Sequence, residues 1–78
     1  MQSWKYKYGE NEIDVMHDTI SNKSELYVNG QLQDKNTMMT TELNGKLESG
    51  ETIRARVGGF FTIKCALQID NKLLQPIH

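Results

Sequence analysis

The sequence predicts an all-β fold, an antiparallel β-sandwich of about seven to eight short strands with no long helix. Three observations carry this. Apolar and polar residues alternate with period two along most of the chain, turn signals recur at short intervals, and no window holds the apolar spacing of an amphipathic helix.

The elements follow in order. Trp4, Tyr6 and Tyr8 alternate with lysines until Gly9-Glu10-Asn11 breaks the run. Ile13, Val15 and His17 share a face, and the polar stretch from Asp18 to Lys23 reads as a loop. Leu26 and Val28 lead into Asn29-Gly30, the dipeptide suited to a type I′ hairpin because both central residues need positive φ. A second Asn-Gly, Asn44-Gly45, is a turn signal after the Thr/Met run that starts at Thr37. In that run Met38 and Met39 are adjacent, so on a strand one faces inward and the other outward. Ser49-Gly50 punctuates before Thr52, and Pro76 falls near the end, where no central strand needs its missing donor.

Between Ile53 and Ile69 the sequence discriminates between registers. A two-residue turn at Gly58-Gly59 would pair Val57 with Phe60 and place Lys64 in the core. A three-residue connection, Gly58-Gly59-Phe60, pairs Val57 with Phe61 instead. Ile53, Ala55, Val57, Phe61, Ile63, Cys65, Leu67 and Ile69 then face one way, with Arg54, Arg56, Thr62, Lys64, Ala66, Gln68 and Asp70 facing the other. A short internal echo also stands out. Tyr27-Val28-Asn29-Gly30-Gln31-Leu32 resembles Gln68-Ile69-Asp70-Asn71-Lys72-Leu73, which reads as two similar hairpins.

With 78 residues, 37% hydrophobic and 24% charged, the chain is expected to form one domain over residues 1–78. Its formal charge of -1 gives no global attraction to nucleic acid or to acidic membranes, and neither is expected as a partner. The single cysteine, Cys65, excludes an internal disulfide and any Cys-pair zinc site. Only His17 and His78 could supply imidazoles, so no metal or other cofactor is expected. An unpaired thiol suits a reducing compartment, and the segment from Met1 to Lys5 lacks a signal-peptide core. The expectation is a cytoplasmic protein.

No catalytic constellation emerges. Cys65 falls on the inward face, where a thiol is inert. His17 sits beside Asp18 at a strand end without an activated Ser or Cys to serve, and bonding to Thr19, Ser21 or a loop backbone group is its expected role. The candidate contact surface is the outer face of the last long hairpin. There Arg54 stands opposite Lys64, Arg56 lies one step along, and Phe60 occupies the tip. Facing cations need an acid between them, either a carboxylate of a neighbouring strand such as Glu42 or Glu51, or an acidic partner with Phe60 as its apolar anchor. An alternative is a small anionic or carbohydrate ligand stacked on Trp4, Tyr6 and Tyr8; these residues alternate with lysines as core residues would.

Several segments together resemble one domain of the Fas apoptosis inhibitory molecule family. They are Trp4, the run Ile13-Asp14-Val15-Met16-His17, the loop Thr19-Ile20-Ser21-Asn22-Lys23, the hairpin Leu26-Tyr27-Val28-Asn29-Gly30, Gly59 with the phenylalanine after it, and Leu67-Gln68-Ile69-Asp70-Asn71-Lys72. The match runs in order along nearly the whole chain. The resemblance implies a β-sandwich without catalytic site or cofactor, acting through protein–protein contact; family members oppose death-receptor signalling and protein aggregation in animal cells. Those proteins carry two such domains, whereas this chain has room for one, and its hairpin at Gly9 is shorter.

Overall fold

In the computed structural model, which describes residues 1–38, 40–59 and 61–77, eight strands form two four-stranded antiparallel sheets. The first sheet is a meander of β1 (Gln2–Tyr8), β2 (Asn11–Asp18), β3 (Lys23–Val28) and β4 (Gln31–Thr37). The second repeats that order with β5 (Thr41–Lys46), β6 (Thr52–Gly58), β7 (Lys64–Ile69) and β8 (Lys72–Leu74). The expected sandwich class holds, and no described residue is helical.

Alternation places the core. Tyr6, Ile13, Val15, Leu26, Leu43, Ile53, Ala55, Val57, Leu67 and Ile69 are buried, and Trp4, Tyr8, Ile63, Cys65 and Leu74 pack against them. Burying this apolar area drives the two layers together without a covalent staple.

The sequence echo has a structural counterpart in the two hairpin turns. Asn29 and Gly30 (φ 50° and 81°) join β3 to β4, and Asp70 and Asn71 (φ 48° and 69°) join β7 to β8. Each turn clamps the start of the neighbouring strand. The Asn29 N–H donates to the Glu12 carbonyl (2.8 Å) while the Asn29 side chain accepts from the Glu12 N–H (2.9 Å). Asp70 makes the same pair of bonds with Thr52, both at 3.0 Å. The similarity therefore extends from hairpins to whole meanders, with Lys64 standing where Lys23 stands in the first sheet.

Three sequence expectations are corrected. Asn44-Gly45 is not a turn but lies inside β5, and the turn follows at Leu47, whose N–H donates to the Glu51 carbonyl (2.9 Å). Gly45 is there for close approach, since a Cβ at that site would lie 3.1 Å from Leu26 Cδ2 and 3.2 Å from Gln33 Oε1. The β6–β7 connection is longer than expected, so Val57 pairs with Cys65, Arg54 with Gln68 and Gly58 with Lys64. Arg54 is thus not opposite Lys64. An even shift in register keeps every face, which is why the inward set survives apart from Phe61, which is 95% exposed in the connection. Of the methionine pair, Met38 is exposed between β4 and β5, and Met39 falls outside the described residues.

Hydrogen bonds cap parts of the sheet edges at β1, β4 and β5. A β-bulge opposite Leu26 and Tyr27 leaves Gln33 without a partner in β3 and turns this part of β4 toward β5. The Gln33 side chain accepts from the Lys46 N–H (3.3 Å), and Asp34 Oδ2 accepts from the Asn44 N–H (2.9 Å). On β4 itself, Asp34 Oδ1 accepts from the Lys35 N–H and Asn36 Oδ1 from the Thr37 N–H, both at 2.8 Å. On β1, the Lys5 carbonyl accepts from the Ile77 N–H (2.7 Å). Capped amides cannot template pairing with another chain.

Candidate functional site

The two outer faces have different charge logic, and the duplicated meander makes them comparable. On the first sheet every outward strand lysine stands directly opposite a carboxylate: Lys7 faces Glu12, Lys5 faces Asp14, Lys23 faces Asp18 and Lys35 faces Glu25. Two ion pairs lie on this face, Lys5–Asp14 across the strands (3.8 Å) and Lys23–Glu25 along β3 (3.7 Å).

On β5 to β7 of the second sheet the outward cations are Lys46, Arg54, Arg56 and Lys64, and the outward acid is Glu42. Lys64 faces Gly58, at the register position where Lys23 faces Asp18. Arg56 has Ala66 on one side and Glu42 on the other, but the Glu42 carboxylate lies 3.7 Å from Arg54 Nε. The neighbouring-strand carboxylate expected from sequence is therefore present and serves Arg54. At this exposure the pair contributes only about 0.2–1 kcal/mol.

Small residues turn the remaining cations into the walls of a cleft. Gly58 and Ala66 leave a depression of about 400 Å³ lined by Thr40, Arg56, Val57, Gly58, Lys64, Cys65 and Ala66. Gly58 also meets Thr40 closely: a Cβ there would lie 2.8 Å from Thr40 Oγ1 and 3.1 Å from its backbone. A second depression, lined by Gly59, Phe61, Thr62 and Lys64, adjoins through Lys64.

The sequence-derived site is partly assembled. Arg56 and Lys64 converge on one cleft. Arg54 turns to Glu42 and lines another depression, shared with Asn44, Thr52, Ile53, Gln68 and Asn71. Phe60 lies outside the described residues, while Phe61, expected inside, is on the surface. Sequence reasoning missed Gly58 and Ala66 as the floor, because their role depends on the register.

His17 is buried, and its Nδ1 is 2.8 Å from Ser24 Oγ on the adjacent strand, rather than bonded to the following loop as expected. Asp18 accepts from the Ile20 N–H (2.9 Å), and that bond holds its carboxyl below the usual carboxylate range. Cys65 is half-buried; burial pushes its thiol pKa up, against a smaller opposing effect from the Tyr6 hydroxyl. Tyr6 is fully buried and its pKa is raised, mainly by burial and further by Cys65, although its hydroxyl has no partner at hydrogen-bond geometry among the described residues. A thiol so disposed is a poor nucleophile. Tyr6 is buried in the core, and Trp4 and Tyr8 are partly buried against it.

No group of His, Cys, Asp and Glu suited to a metal ion occurs among the described residues, nor any helix long and apolar enough to cross a membrane. No protein-family model, curated protein or solved structure matches the chain.

Proposed function

We propose that this chain is a non-enzymatic interaction module that binds an acidic segment of another protein through the Arg56–Lys64 cleft. The observation that carries the reading is the contrast between equivalent sites: Lys23 faces a carboxylate, whereas Lys64 faces a glycine. Two cations beside a depression floored by Gly58 and Ala66 offer charge and apolar contact together, as a partner carboxylate with a neighbouring aliphatic group requires. Exposed Phe61 next to Lys64 extends the apolar part. The resemblance to a Fas apoptosis inhibitory molecule domain supports the same class of role, protein–protein contact without chemistry or cofactor, and the unpaired thiol suits a cytoplasmic setting.

The test is fluorescence anisotropy with a fluorescein-labelled oligoglutamate peptide. Arg56→Glu/Lys64→Glu is expected to abolish binding, while Lys23→Glu on the opposite sheet leaves it within about twofold. Equal loss in both variants would reduce the effect to net charge and remove the cleft from the account.

A further inference from the structure

We infer that the acidic segment binds as an added antiparallel strand along residues 64–66 of β7, with acidic side chains at alternate positions. This rests on the cleft as an acidic-segment site and adds backbone pairing to it.

The β7–β8 pairing covers only part of β7. Leu67, Gln68 and Ile69 pair with β8, and Lys64, Cys65 and Ala66 have no strand partner on that side among the described residues. The cause is local. Continuing the register would set Pro76 opposite Cys65, and proline has no N–H to donate. The chain leaves instead, and the Ile77 N–H donates to the Lys5 carbonyl at 2.7 Å. One edge is closed at the expense of the other.

Strand geometry shows which groups are exposed to pairing. The Asp70 N–H points toward β6, reaching the Thr52 carbonyl at 3.0 Å. Alternation then turns the N–H and C=O of Ile69, Leu67 and Cys65 toward the β8 side. At Ile69 and Leu67 those groups meet β8; at Cys65 they meet no strand among the described residues. On β4 and β5 the amides of Lys35, Thr37, Asn44 and Lys46 are capped by side chains, so the edge beside Cys65 is set apart from them.

Side-chain chemistry selects what can pair there. In an antiparallel partner the residues opposite Lys64 and Ala66 project onto the outer face, and the residue opposite Cys65 projects inward. A glutamate opposite Lys64 meets a cation directly. One opposite Ala66 reaches across that methyl toward Arg56, which stands next to Ala66 on β6. The fitting segment is therefore extended, acidic at i and i+2, and aliphatic between.

The test uses the intact protein and a fluorescein-labelled heptapeptide, Thr-Thr-Glu-Val-Glu-Thr-Thr, with two controls. One carries an N-methyl group on the valine, removing the N–H that would pair with the Cys65 carbonyl; the other has the glutamates adjacent. The parent peptide is expected to bind and to shift the Cys65 amide resonance. Each control peptide, and separately Lys64→Glu, is expected to weaken binding by about tenfold or more. Lys64 is exposed, so its replacement leaves the core intact. If the N-methyl peptide binds as tightly as the parent while Lys64→Glu still weakens both, strand addition is overturned and the cleft reading stands. No binding of the parent, or binding indifferent to Lys64→Glu, overturns both.

Discussion

Asp34 is the side chain on which closure of the two sheets turns, and its replacement gives a graded prediction. One carboxylate oxygen accepts from Lys35 N–H at 2.8 Å within β4, and the other from Asn44 N–H at 2.9 Å on β5. Bonds to a charged acceptor contribute roughly 1.5–3 kcal/mol each. Both are exposed, so water replaces part of each and lowers the contribution below that range, to about 1 kcal/mol apiece. Asp34→Ala should therefore cost about 2 kcal/mol, and Asp34→Asn, which keeps one acceptor oxygen, about 1 kcal/mol. For a domain of this size that corresponds to a Tm lowered by roughly 8–16 °C and 4–8 °C respectively. Urea unfolding followed by the fluorescence of Trp4, the single tryptophan, reads both the midpoint and the m-value. The m-value should stay constant. Asp34→Ala within about 0.5 kcal/mol of the parent, or an asparagine variant worse than alanine, would refute the clasp.

Other consequences can be measured on the same protein. Ser24→Ala leaves buried His17 Nδ1 without its 2.8 Å partner and should cost about 1–3 kcal/mol, whereas His17→Val/Ser24→Ala, which removes both polar groups, should recover part of that in urea melts. Folding raises the pKa of Cys65 above 9.0 and of Tyr6 above 10.0, so above those values the unfolded chain holds fewer protons than the native one. Stability should fall as pH rises beyond 9.0. Tyr6→Phe, which deletes a buried hydroxyl with no hydrogen-bond partner among the described residues, should flatten the fall above pH 10.0 without lowering Tm at pH 7; a loss of several degrees at pH 7 would contradict this. Gly59→Ala puts a Cβ 1.8 Å from the Thr62 carbonyl oxygen, so the loop must move; a cost of about 1–3 kcal/mol is expected from thermal melts.

How much of this was legible in the sequence follows from the two-residue period of a strand. That period fixes faces, so Ile53, Ala55, Val57, Leu67 and Ile69 could be assigned to the core and Arg54, Arg56 and Lys64 to solvent. It is blind to even shifts in register, so the pairing of Val57 with Cys65 rather than Phe61, and with it the Gly58 and Ala66 floor, was out of reach. Asn29-Gly30 announced its turn because positive φ is a local demand. Asn44-Gly45 misled because Gly45 answers a tertiary one, the approach of Leu26 and Gln33 from the other sheet. The contact surface was half legible for the same reason. Its charges are local, but the absence of an acid opposite Lys64 is a property of register.

The most direct measurement is an amide chemical-shift titration with the labelled oligoglutamate peptide. Shifts concentrated at Arg56, Gly58 and residues 61–66, with the equivalent region around Asp18 and Lys23 unmoved, are what the account predicts. Equal shifts at both sites, or shifts confined to the first sheet, would contradict it.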